Sequence, residues 1–221
     1  MQSKEIHPLL LSGKLGDGGF ARNRTHRKVP DSSIAFVSIN LDYIQHKWQS
    51  LREYRPGKIN VQKSGYKVGA TSFRFATRQH PDVTYVEQLS NAEAVQMLTR
   101  ESFIYYYLDD GTYHQRKHFM HLYCNTFEPE AVEALIARIA DLYPVKPSAL
   151  RWDRKSDGRA FPYLYIPVAT AKEVAADVRD FLTANAIPSL LYKAGVAVPP
   201  SETIESGVCV RESEAAEKRS E

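Results

Sequence analysis

Two Asp-Gly dipeptides, Asp17-Gly18 and Asp110-Gly111, each close a short apolar run, LLLSGKLGDG at residues 9–18 and SFIYYYLDDG at 102–111. Carboxylate oxygens are the ligands that hard divalent cations prefer, and two carboxylates sharing one site repel unless a cation lies between them. A lone Asp-Gly after an apolar run is an ordinary helix-ending turn. The chemistry becomes interesting only if both acids occupy equivalent places, which the rest of the chain bears on.

The elements around them repeat. In the first half, residues 9–18 read as a short helix. GFARNRTHRKVPDSS follows as a strand with a basic turn, then IAFVSIN as a strand. Leu41, Ile44, Trp48 and Leu51 recur at helical spacing, and that helix should stop near Arg55-Pro56-Gly57. KINVQ (58–62) and TSFRFAT (71–77) read as strands, and a helix from Pro81 carries Val83, Val86 and Leu89. The second half runs through TYHQRKHFMHLYCN as a hairpin and an amphipathic helix marked by Val132, Leu135, Ile136, Ile139 and Leu142. ALRWD and FPYLYIPV follow as strands, then a last helix carrying Val174, Val178, Phe181 and Leu182.

Landmarks stay in step. Asp17 to Asp110 is 93 residues, Asn40 to Asn125 is 85 and Phe73 to Tyr163 is 90. Each half therefore reads αββαββα, an internal duplication. The expected units are residues 1–100, 101–193 and an acidic, disordered tail at 194–221 rich in Glu, Ser and Pro.

Net charge is +3, but residues 201–221 hold six Glu against Arg211, Lys218 and Arg219, so the preceding 200 residues carry +6. That balance suits a polyanionic partner without proving one. The two cysteines, Cys124 and Cys209, make neither a disulfide framework nor a metal-ligand spacing. No signal-peptide stretch and no run near ~18 apolar residues is present, so the expectation is a soluble chain in a reducing compartment, cytoplasm or organellar matrix.

SFIYYYLDDGTY closely resembles the second motif of the LAGLIDADG homing endonucleases, and LLLSGKLGDGGF resembles the first, down to its Leu-Gly-Asp-Gly ending. The resemblance spans roughly residues 8–190 as paired motif, hairpin and helix units. It implies an α/β (α+β) fold of two pseudo-symmetric αββαββα lobes packed through the motif helices. Each lobe would carry a four-stranded antiparallel sheet shaped as a DNA-binding saddle. Ser12, Gly13 and Gly16 would allow close helix approach, and the helix ends would bring Asp17 and Asp110 together. Lys14 and the run Tyr105–Tyr107 depart from the family pattern, making the lobe interface asymmetric.

The resemblance further implies a Mg²⁺ site, with Mn²⁺ as a substitute, at Asp17 and Asp110, joined by the preceding Gly16 and Asp109. Such a metal would activate water against a phosphodiester. Asp109 is the less expected catalyst, because the residue directly before Gly is the one that aligns in both halves. Asn40 and Asn125 would order active-site water, their alternative being helix caps or Asx turns. Arg78 is the candidate basic residue after the fourth strand. The second half lacks a counterpart, since Lys172 falls in the following helix.

For DNA the candidates are Arg22, Arg24, His26, Arg27 and Lys28 in the first hairpin, and His114, Arg116, Lys117 and His118 in its counterpart. Lys63, Lys67, Arg151, Arg154, Lys155 and Arg159 flank the later hairpins. Long side chains on such strands reach base edges and phosphates in the major groove. The implied partner is a non-palindromic duplex of about 20 base pairs. It would be bound by a monomer and cut in both strands with 3′ overhangs. An intron maturase or a non-cleaving DNA-binding protein on the same scaffold is the alternative. An intein-embedded nuclease is not expected, as no splicing segments flank the motifs.

Overall fold

The computed structural model describes residues 6–22, 31–63, 71–154 and 160–196. Two helices that are apolar on nearly every side lie at the centre, as such helices must. In α1 (Pro8–Leu15) Leu9, Leu10, Leu11, Ser12, Gly13 and Leu15 are buried. In α5 (Arg100–Asp110) every residue from Ser102 to Leu108 is buried. His7 caps α1 by accepting from the Leu9 amide, with Pro8 as the first helical residue. Thr99 and Ser102 form a capping box at the start of α5.

The first lobe continues with β1 (Gly19–Arg22), β2 (Ser32–Ser38), α2 (Leu41–Ser50), β3 (Asn60–Lys63), β4 (Thr71–Ala76) and α3 (Pro81–Gln88). The second lobe follows α5 with β5 (Gly111–Tyr113), β6 (Met120–Tyr123), α6 (Pro129–Leu142), β7 (Ala149–Arg154), β8 (Ala160–Ile166) and α7 (Val168–Ala184). The sheets are antiparallel, ordered β1-β2-β4-β3 and β5-β6-β8-β7. The expected duplication, fold class and two four-stranded sheets are therefore present. One face of each sheet covers the helices, with Ile34, Phe36 and Phe75 buried in the first and Met120, Leu122, Leu164 and Ile166 in the second.

Two elements went unread in the sequence. A short helix, α4 (Asn91–Gln96), held by a Ser90–Glu93 capping box, joins the lobes and packs on α1 and α6. A 3-10 helix, Pro188–Ala194, follows α7 and ends at Gly195 with φ of 75°, a conformation that suits glycine. Ala194 is buried, so the acidic tail does not start there; residues 197–221, including Cys209, lie outside the described residues. Cys124 is a buried core residue.

Strand register corrects two of the three landmarks. Gly19 pairs with Ala35 and Thr112 with His121, so Ala35 and His121 are equivalent, an offset of one more residue than Asn40 to Asn125. By that register Asn40 matches Thr126, and Asn125 matches Ile39. Likewise Ala35 faces Ala76 and His121 faces Tyr165, which aligns Arg74 with Tyr163 and Phe73 with Pro162. A slip of one residue moves a side chain to the other face of a sheet, so these are differences of position and not of bookkeeping.

Among the described residues no helix is long and apolar enough to cross a membrane.

Candidate active site between the lobes

α1 and α5 pack on each other, and the close approach has a specific cause. A Cβ at Gly16 would collide with Asp110 Oδ2 and press on the Tyr106 ring. Ser12, one turn earlier on the same face, is fully buried. Gly13 does something else, since a side chain there would strike Ile34 and Phe36 of its own sheet. The tyrosine run resolves the missing small residues on α5. Tyr106 lies over the space at Gly16 and donates to Tyr123 O at 2.9 Å. Tyr105 turns toward α2, its hydroxyl 2.6 Å from His46 Nε2, and Tyr107 donates to Lys193 O at 2.8 Å. Lys14, polar where an apolar residue was expected, reaches the last turn of α3 and donates to Glu87 O at 3.1 Å.

The two acids meet at this junction from different local settings. Asp110 is the last residue of α5, whereas Asp17 sits in the turn between α1 and β1 and is exposed. Asp110 Oδ2 is buried and lacks a hydrogen-bond partner. Burial, then the charges of Asp17 and Asp109, push the Asp110 carboxyl up to about 7. Asp17 is also raised, first by partial loss of solvation from the surrounding chain although the residue keeps an exposed edge, then by Asp109, with Lys47 and Lys193 opposing.

Asp109 points elsewhere. Its two oxygens accept from Lys47 Nζ at 2.7 and 2.9 Å, and Tyr43 donates to Oδ1 at 3.0 Å. With side chains 1% and 4% exposed, Lys47 and Asp109 form a buried ion pair between α2 of one lobe and α5 of the other. The expected metal-binding role does not fit a carboxylate so occupied. Gly16 remains beside Asp110, where its missing side chain leaves room.

A second unforeseen cation offsets part of the remaining acidic charge. Lys193, on the 3-10 helix, donates to Leu108 O at 2.6 Å and lies 3.4 Å from Asp109 O. A cation at a helix C-terminus satisfies carbonyls that have no partner within the helix. Burial lowers the Lys193 ammonium, and Asp109, Asp110 and Asp17 in turn raise it. The 3-10 helix is anchored to the first lobe by Ser189, whose amide and hydroxyl both donate to Asp42 at 3.0 and 2.6 Å. Three carboxylates thus share the junction with two ammonium groups.

Beside Asp17 opens a cleft of about 470 Å³ lined by Ser38, Asn40, Gln62, Ser72 and Lys193 among others. Asn40 occupies the residue before α2, yet its side chain makes no capping bond. It is one of the residues that line the cleft. Asn125 is exposed in a turn of the second lobe, outside that lining, whose strand residues all come from the first lobe. Arg78 is a correction too. Because β4 runs antiparallel to β2, its end lies by Ile34, where Thr77 N donates to Ile34 O, while Ser38 and the cleft are at the other end. Gln62 and Ser72 were missed, being unremarkable polar residues. Lys47 had one signal: a lysine within the apolar spacing of Ile44, Trp48 and Leu51.

Of the DNA candidates, Arg22 faces the helices and not the outer sheet surface: its Nε is 2.6 Å from Glu87 Oε2. Ser32 also bonds Glu87. Lys63 is exposed on edge strand β3, Arg116, Lys117 and His118 are exposed in the β5–β6 turn, His114 is half-buried there, and Arg151 is exposed on β7. Arg24, His26, Arg27, Lys28, Lys67, Lys155 and Arg159 lie outside the described residues, as does the side chain of Arg154.

No group of three or more His, Cys, Asp or Glu side chains suited to a metal exists among the described residues. Mg²⁺ does not need one, because it is commonly held by one or two carboxylates together with water and substrate phosphate. The unpartnered Asp110 oxygen and the neighbouring Asp17 fit such an ion.

The family model of the LAGLIDADG DNA endonucleases matches residues 11–174. The chain belongs to that family. The matched segment begins within α1, ends within α7 and includes both Asp17 and Asp110. Among solved structures, the homing endonuclease I-WcaI bound to its DNA recognition sequence is similar at a TM-score of 0.63 and 19% identity, over 87% of this chain and 86% of that one. Mesophilic variants of I-DmoI are similar at 0.53 and 13%, over 79% and 95%. I-DmoI in complex with DNA and Mn is similar at 0.51 and 13%, over 78% and 95%. No curated protein matches the sequence.

Proposed function

We propose that this protein is a site-specific double-strand DNA endonuclease, with Asp17 and Asp110 as the two residues that hold a divalent cation. The observation that carries the reading is the buried, unpartnered Oδ2 of Asp110, beside Gly16 and within the field of a second carboxylate. Leaving such an oxygen without a partner costs roughly 1–3 kcal/mol, more when charged, unless a ligand takes it. Membership of a DNA endonuclease family and the likeness of fold to DNA-bound homing endonucleases support the same reading.

The bound cation would supply Lewis acidity toward a phosphodiester and acidify a bound water. The chain's own residues have separable tasks. Asp17 and Asp110 bind it. Gly16 keeps the space beside Asp110 open, Asn40 and Gln62 offer hydrogen bonds to water in the cleft, and Lys193 offsets the carboxylate charge from the α5 terminus. Mg²⁺ is the cation expected, and Mn²⁺ accompanies DNA in one similar structure. The unlike lobes favour a non-palindromic site of about 20 base pairs, bound by one chain.

The test is incubation of the protein with a randomised duplex library and Mg²⁺ or Mn²⁺, followed by sequencing of cut ends. Cleavage at one recurrent sequence is expected. Asp17→Asn and Asp110→Asn should each abolish double-strand cutting and leave binding within a few-fold. Tight duplex binding with no cut ends in either metal would replace this reading with that of a DNA-binding protein or maturase.

A further inference from the structure

The outer faces of the two sheets are built from different chemistry at equivalent positions. In the first lobe, the register places Ala35, Ala76 and Gly19 on that face, with Arg74, Asn60 and Gln62 as its long polar side chains. In the second, the position of Ala35 is taken by His121, that of Ala76 by Tyr165 and that of Arg74 by Tyr163. These rings touch in a continuous ladder. Centroids of His121 and Tyr163 are 4.1 Å apart, those of Phe119 and His121 4.8 Å, and those of Phe119 and Tyr165 5.1 Å. Arg151, equivalent to Asn60, lies with its guanidinium carbon 3.9 Å from the Tyr165 centroid.

All four rings are half-buried and directed away from the core, so they do not stabilise the lobe's interior. Their polar atoms are confined to the Tyr hydroxyls and His nitrogens at the ring tips, and the ring faces themselves carry no donor or acceptor. Laid against guanine, cytosine or adenine edges, those ring faces would strip water from polar groups without replacing their hydrogen bonds, which is costly. The apolar group in the major groove is the C5-methyl of thymine. Stacking on unpaired bases fits less well, because adjoining rings are tilted by 31°, 40° and 50° and offer no common plane for successive bases.

We infer that the second lobe's sheet recognises its half of a duplex through thymine C5-methyl groups set against the His121, Tyr163 and Tyr165 rings, whereas the first lobe's sheet recognises the other half by hydrogen bonding. The inference rests on the duplex-DNA reading above and adds which bases one half-site carries. Arg151, held over Tyr165, then serves the backbone or a single guanine at the edge of that half.

The experiment begins with selection of bound duplexes from a randomised library in metal-free buffer, where nothing is cut. The preferred site is then synthesised with deoxyuridine for thymidine in one half at a time, which removes only the methyl groups. Wild-type protein should bind about fourfold more weakly for each contacted methyl lost in the thymine-rich half, as burial of one such group implies. The same exchange in the other half should change binding less than twofold. Tyr163→Ser should weaken the thymine preference in the first of these halves, and Arg74→Ala should alter base preference only in the second. Equal binding of deoxyuridine and thymidine sites would overturn the inference while leaving the duplex reading intact. Single strands bound as tightly as duplex would overturn it in favour of base stacking. Failure to select any duplex would overturn both.

Discussion

Lys47 Nζ sits 2.7 and 2.9 Å from the two oxygens of Asp109, so that a helix of the first lobe is joined by a buried ion pair to the motif helix of the second. Removing one partner of such a pair strands the other charge in a dry site. Lys47→Met should cost about 3–5 kcal/mol, read by urea unfolding, and Asp109→Leu a similar amount. The double variant should recover most of that loss. Two single costs that simply add would show that the pair is not coupled.

Asp110 has a raised carboxyl, held up to about 7 against an ordinary value of 3.8. A carboxyl raised by folding contributes stability that is complete below the ordinary value and is lost as pH rises through the raised one. Metal-free protein should therefore lose thermal stability between about pH 4 and 7, and Asp110→Asn should flatten that fall. An unchanged pH profile in the Asn variant would mean that another group titrates there.

Space at Gly16 is a requirement of the lobe junction. Gly16→Ala would drive a methyl group into Asp110 and toward Tyr106. A melting temperature lowered by several degrees is expected, since overpacking costs about 1–3 kcal/mol, together with loss of the high-affinity divalent site. Calorimetric titration with Mg²⁺ and DNA reads the second effect.

Lys193 bonds the final carbonyls of α5 and faces all three acids. Lys193→Met should destabilise the protein by about 1–3 kcal/mol, because a half-buried carbonyl loses its donor. It should also shift the Asp110 titration upward, as an opposing positive charge is gone. Carboxyl chemical shifts followed against pH test this directly, and a downward shift would refute it.

Two arginines on strands of equivalent halves should behave differently. Arg151 is exposed on the outer edge strand, and Arg151→Ala should reduce the slope of log affinity against log salt by roughly 0.9 if it contacts one phosphate. Arg22 is paired with Glu87 at 2.6 Å on the helix-facing side. Arg22→Ala should leave the slope unchanged and cost less than about 1 kcal/mol of stability, as for other partly exposed pairs.

Much of the architecture was legible in the chain alone. Alternation in IAFVSIN, helical spacing at Leu41 through Leu51 and the two Asp-Gly endings are local patterns, and local patterns decide which elements form and which faces they bury. Repetition of those patterns sufficed to identify two lobes and to single out Asp17 and Asp110. What the tertiary structure alone decided depends on partners distant in sequence. The Lys47–Asp109 pair joins residues 62 positions apart, and Ser189 meets Asp42 across 147. Register was also undecidable locally, which is why Asn125 was matched to Asn40 when Thr126 holds that place, and why Arg78 fell at the far end of its sheet. Antiparallel pairing reverses the sense of a strand and a one-residue slip reverses its faces. Sequence therefore singled out the two acids, and packing decided which side chains lie beside them.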